Sequence, residues 1–182
     1  MKKLILSLLF ILPLAVMGHN LPVANGKITY SEVVSAEGLT QEQLYQRLRE
    51  FFTVQFKSAD DVIQMDTKDK VIGKAWQDII VDDGKVQEKR KLWYTVKLEM
   101  KEGRYRIELS DFHMQRYCLP AYGPCEPQTR LFPAEQILSP QNQVNKKGKP
   151  SVGYASFERE IEKAATALMA NIKEAAAQSS DW

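Results

Sequence analysis

The reactive side chains of this 182-residue chain are few, and their positions argue against most familiar chemistries. Only two histidines occur, His19 near the N-terminus and His113, so the commonest general base is nearly missing. Asp111 and His113 are two apart in a segment of strand-forming composition. That spacing puts both on one face and would allow an atypical hydrolase, but no nucleophile accompanies them, and a plain strand-edge role is the simpler reading. No G-x-S-x-G, H-E-x-x-H or G-x-x-x-x-G-K-[ST] motif is present. Asp66 and Asp69 flank Thr67-Lys68 without the glycine-bent, Asp-rich loop and distal Glu of a calcium site. They read as a turn, as does Asp82-Asp83-Gly84. No metal, cofactor or catalytic residue is expected.

Side chains suited to binding are better represented. Trp76 and Trp93 combine large contact area with a single donor, and Arg104 and Arg106 add directional charge, the residue types enriched at binding hot spots. Whether they act together depends on the strands that carry them. In RKLWYTVKLEM, Leu92, Tyr94, Val96, Leu98 and Met100 alternate with Trp93, Thr95, Lys97 and Glu99; in RYRIELSDF, Tyr105, Ile107 and Leu109 alternate with Arg104, Arg106 and Glu108. One face is therefore apolar and the other polar with aromatics. Trp76 joins the polar face if Ile72, Lys74 and Asp78 share its parity, which leaves Val71, Ala75 and Ile79 for the core, although Ile72 and Ile80 are apolar too. The plainer alternative has the two tryptophans packing on each other, or under a loop, as sheet cover.

The elements around these strands follow from periodicity. GKITYSEVVSAEG reads as a first strand. Thr40 is a good N-cap with Gln43 three residues on, and Leu44, Leu48, Phe51, Phe52 and Gln55 mark one face of a helix from about Thr40 to Lys57. Four strands follow, DVIQMD, KVIGKAWQDIIV, RKLWYTVKLEM and RYRIELSDF, separated by turn residues. Residues 115–150 contain six prolines and both cysteines and read as an irregular excursion across the surface. A second helix closes the chain, with Ser156 as candidate N-cap and Phe157, Ile161, Ala165, Leu168, Ile172 and Ala175 on one face. The expected fold is α+β: a two-layer sandwich of an antiparallel five-stranded sheet with two helices on one face, in the order β-α-β-β-β-β-α.

The N-terminus sets the compartment. Lys2 and Lys3 precede an apolar run from Leu4 to Leu12 and a small-residue exit at Ala15-Val16-Met17-Gly18, the layout of a signal peptide cleaved after residue 18. The run is shorter than the roughly 20 apolar residues a membrane-spanning helix needs. Residues 19–182 are expected to form one exported domain, periplasmic or extracellular, with no membrane span. Lys2 and Lys3 also account for the whole excess of 25 Lys plus Arg over 23 Asp plus Glu, so the mature domain is neutral and nucleic acid is not an expected partner. In an exported protein, Cys118 and Cys125 are most simply a disulfide closing CLPAYGPC, worth about 2.5 kcal/mol by loop-closure entropy. Free thiols, or a metal pair that would have only His113 in reach, are the alternatives.

The segments GKITYSEVVSAEGLTQEQLYQRLREFF, VIQMDTKDKVIGKAW, YTVKLEMKEGRYRIELSDF and LFPAEQIL together resemble the DUF4468 family of exported bacterial domains. The resemblance covers Leu21 to Phe112 well and the remainder loosely, and it implies a TATA-binding-protein-like fold. It implies no activity, since that family is named for having no known function. The expected role is a non-enzymatic exported domain that binds an envelope protein, peptide or glycan through the open sheet face, with Trp76, Trp93, Arg104 and Arg106 as anchors. The alternatives are a structural homodimer joined through that face and the hydrolase using Asp111 and His113.

Overall fold

The structure, a computed structural model, describes residues 21–56, 62–117 and 130–178. The expected signal peptide, His19, Cys118 and Cys125 lie outside the described residues. The described fold begins with a small ribbon of β1 (Val23–Ala24) and β2 (Lys27–Ile28), turned at Asn25-Gly26. Both turn residues have positive φ, 52° and 76°, which Asn and Gly tolerate best. The main sheet starts at β3 (Tyr30–Ser35), so the single first strand expected from the sequence is split at Thr29.

Helix α1 (Gln41–Gln55) opens with a complete capping box: Thr40 accepts from the Gln43 backbone and Gln43 reaches back to the Thr40 backbone. Leu44, Leu48, Phe51 and Phe52 are its buried stripe, while Gln55 is exposed and falls outside it. The meander then runs β4 (Ile63–Thr67), β5 (Lys70–Asp82), β6 (Gln87–Lys101) and β7 (Arg104–Arg116). The region expected to be irregular contains β8 (Phe132–Pro133), the short helix α2 (Ala134–Ile137) and a 3-10 turn at Pro140–Asn142. Helix α3 (Val152–Ala177) ends the described fold.

The antiparallel sheet has the order β3-β7-β6-β5-β4, with β8 beside β7 beyond the end of β3. It is thus six-stranded rather than five, the sixth being the two residues of β8. One face is the core: Val71, Ala75, Ile79 and Val81 of β5, Leu92 to Met100 at alternate positions of β6, and Tyr105, Ile107 and Leu109 of β7 are all buried. They meet the α1 stripe and Phe157, Ile161, Ala165, Leu168, Ile172 and Ala176 of α3. Ala176 takes the place expected for Ala175. Both helices lie on this side and touch each other, with Arg47 donating to the Ala176 carbonyl at 2.8 Å. Gly73 leaves room for the α1 side chain Phe52 against the sheet, since a Cβ there would stand 2.4 Å from Cε1 of Phe52.

The β5 parity left open by its sequence is settled by this packing. Val71, Ala75, Ile79 and Val81 face the helices, and Ile72, Lys74, Trp76, Asp78 and Ile80 face the other way.

Candidate functional site

The second face of the sheet carries Trp76, Trp93, Arg104 and Arg106, as alternation predicts. They do not form one cluster. Trp76 and Trp93 are register partners on β5 and β6, their ring centroids 6.2 Å apart and tilted by 45°. Arg106 is paired in register with Glu99, six residues along β6 from Trp93, which is about 20 Å at strand rise. The face is therefore divided into an aromatic end and a charged end.

At the aromatic end Lys89, Lys91, Gln115 and Tyr117, which sequence reasoning did not select, join the tryptophans. Lys91 places its Nζ 3.9 Å from the Trp76 ring centroid and 5.4 Å from that of Tyr117. Lys89 lies 5.6 Å from the Tyr117 ring and 2.7 Å from Oδ2 of Asp78. The Tyr117 hydroxyl donates to Oδ1 of Asp78 in a short bond. Hydrogen bonds from Lys89 first, and from Tyr117 second, hold the Asp78 carboxyl below the usual carboxylate range. Burial, with the Asp78 carboxylate adding to it, pushes the Tyr117 phenol up to about 12. Trp93 is fixed by its indole, which donates to Oε1 of Gln115 at 2.7 Å. The result is a rigid platform of three rings carrying two ammonium groups, in which Trp76 remains 42% exposed.

At the charged end Glu99 is central. Lys97 lies 3.2 Å away, Lys70 3.6 Å and Arg106 3.3 Å. Burial would raise its carboxyl, but the hydrogen bond from Lys97 and the three positive charges outweigh it and hold the group below its ordinary range. A shallow cleft of about 480 Å³ opens there, lined by Lys70, Glu99, Arg104 and Arg106. Arg106 thus answers Glu99, which removes it from the tryptophan patch.

The Asp111 and His113 pair does not form. Asp111 sits at a positive φ of 53° where β7 slips register against β6, and this break sends its carboxylate to Lys27. The His113 ring stands 2.7 Å from the backbone carbonyl of Asp111 instead. Asp66 and Asp69 also part: Asp66 accepts from Tyr45 at 2.9 Å and Arg49 at 2.8 Å, and Asp69 accepts from Thr67 at 2.8 Å. Among the described residues no three His, Cys, Asp or Glu side chains are grouped as a metal site would need, and no helix is long and apolar enough to cross a membrane.

The family model described as a domain of unknown function (DUF4468) with TBP-like fold matches residues 30–115. Over those residues the chain is similar to DUF4468 domains. That stretch runs from the first residue of β3 to the penultimate residue of β7, so it contains both tryptophans and both arginines. A DUF4468 family protein from Bacteroides ovatus ATCC 8483 has the same fold with a TM-score of 0.67, at 17% identity over 91% of this chain and 95% of its own. A TBP-like protein from Parabacteroides distasonis ATCC 8503 gives 0.66, at 17% identity over 87% and 98%. At that identity the likeness establishes fold alone. No curated protein matches the chain. The DUF4468 match ends before β8, α2 and α3, although α3 supplies a large part of the core beneath the sheet.

Proposed function

We propose that the protein is an exported, non-enzymatic binding domain that holds a protein, peptide or glycan of the cell envelope on the aromatic end of its open sheet face. The observation that carries this reading is the exposed Trp76, stacked obliquely on Trp93 and flanked by Lys91, on a face that neither helix covers. A core already complete on the opposite face does not need these two rings. Their retention on the polar face supports a ligand, because aromatic platforms ringed by donors and acceptors recognise sugar rings and extended peptides alike. Trp76 and Trp93 are the anchors, with Lys91, Asp78 and Tyr117 supplying polar contacts. Arg104 and Arg106 make a separate charged end.

The N-terminal signal layout supports export to the periplasm or beyond, and export in turn supports a Cys118–Cys125 disulfide. A nucleic-acid role, which the fold name would invite, lacks the basic stripe that displaces counterions from phosphates: Lys70, Lys97 and Arg106 of the charged end all lie against Glu99. Fold alone confers no function. The test is a comparison of the native protein with the Trp76→Ala/Trp93→Ala variant on a glycan array and in cross-linking pull-downs from envelope extract. Loss of the same signals in the variant, with circular dichroism unchanged, is the expected outcome. Identical profiles for the two proteins would end this reading.

A further inference from the structure

The two edges of the sheet are built differently. On one side β7 is covered by β3 and then by β8. On the other side β4 has five residues against the thirteen of β5, and pairing stops at Ile63 with Gly73. Among the described residues, β5 is itself the edge from Lys74 onward.

Alternate residues of a strand direct their N–H and C=O groups to the same side. Thr67 and Lys70 flank the two-residue turn and pair directly, so the even-numbered residues of β5 point away from β6. Asp82 obeys the same parity, its N–H leaving the sheet to meet Oγ of Ser156 at 2.9 Å. Lys74, Trp76, Asp78 and Ile80 therefore present a row of outward donors and acceptors that is not used by strand pairing among the described residues. Edges of this length are ordinarily blunted by proline, a bulge or several charges. Here β5 holds unbroken register with β6 and contains no proline, and beside one charge of each sign, Lys74 and Asp78, it exposes Trp76 by 42% and Ile80 by 55%.

We propose that this edge pairs with the same edge of a second copy of the chain, antiparallel about a twofold axis at Gln77, so that two sheets become one. The axis position follows from the parity and the charges. An axis at Gln77 sets Lys74 against Ile80 of the second copy and Trp76 against Asp78 of the second copy, engaging all four outward residues. Lys74 then lies diagonal to Asp78 of the second copy, which adds a charge pair without opposing like charges. On the helix side Ala75 meets Ile79 of the second copy and the two Gln77 amides meet at the axis. An axis at Asp78 would oppose two carboxylates and would require Asp82, whose N–H Ser156 already occupies. The proposal rests on the β5 edge and does not depend on the tryptophan patch binding a ligand, although pairing would bring the two patches side by side on one continuous face.

Sedimentation equilibrium on the purified protein tests it with two surface substitutions that leave the core untouched. The native protein should be a dimer. Ile80→Lys sets lysine against Lys74 of the second copy at both symmetric positions and should weaken association by about tenfold. Lys74→Glu added to Ile80→Lys makes the directly opposed positions complementary and, although it gives up the diagonal pair with Asp78, should recover association above that of Ile80→Lys alone. A native protein that is monomeric at its highest soluble concentration overturns the proposal and leaves the edge to an extended peptide. So does a dimer whose association is the same in all three proteins, or a double variant that does not recover.

Discussion

Asp78 shows how much of the aromatic patch is determined by single groups. Its carboxylate is clasped by Lys89 and Tyr117, and Lys91, which rests on the Trp76 ring, adds to the positive field around it. Because the folded-state pKa is depressed, this clasp stabilises the fold at pH values above the ordinary carboxylate range near ~4 and is lost as pH falls through the lower folded value. A carboxyl-carbon NMR titration should place Asp78 below ordinary aspartates. Lys89→Ala should move it upward, and Tyr117→Phe should do so less; an unshifted Asp78 in all three proteins would contradict the clasp. The Tyr117 phenol is pushed up to about 12, so this hydroxyl stays protonated and keeps donating to Asp78 across neutral pH. Composition and alternation revealed Trp76 and Trp93. Lys91, Tyr117 and Gln115 became visible only through cross-strand contacts, such as that of Tyr117 with a residue 39 positions away.

At the scale of elements, local signals were readable where local bonds decide. The start of α1 was legible because Thr40 and Gln43 satisfy each other within one turn. The start of α3 was not. Ser156 has the composition of an N-cap, yet Ser151 caps the helix more than a turn earlier, through Val152 and Gly153, neither of them a favoured helix former. Ser156 is spent instead on a tertiary bond: it is 2% exposed and its Oγ accepts the Asp82 N–H. Ser156→Ala should therefore destabilise the fold by about 1–3 kcal/mol in chemical denaturation, because a buried donor loses its acceptor. Ser151→Ala should cost about 1 kcal/mol as a lost cap. Equal, negligible effects would show that Asp82 finds water when Ser156 is removed. The bulge at Asp111 was equally hidden, since nothing in SDFHMQ announces a left-handed residue. That bulge extends β7 to Arg116 and dismantles the acid/base pair that strict alternation implied.

For the whole molecule, the two-layer plan follows from stripes and alternation that are plain in the sequence, because burial of one sheet face and two helix faces leaves few other arrangements. The sixth strand was not foreseeable: two residues containing a proline carry no periodicity. The proposed export carries a further prediction for the cysteines, which lie outside the described residues. Thiol titration of the denatured protein should find no free thiol before reduction and two after it. Free thiols in material purified from the envelope would contradict the disulfide.

The pairing of His113 with Pro133 and Met114 with Phe132 has a consequence for change in this protein. It brings the two ends of the intervening segment to neighbouring rungs of the sheet, so that segment is anchored at its base whatever its length. Closing such a loop becomes only about 0.6 kcal/mol harder with each doubling of its length. A change of length between those two rungs is therefore weakly penalised, and an insertion there should leave the register of β7 with β8 unchanged so long as Gln115 and Tyr117 keep their bonds to Trp93 and Asp78.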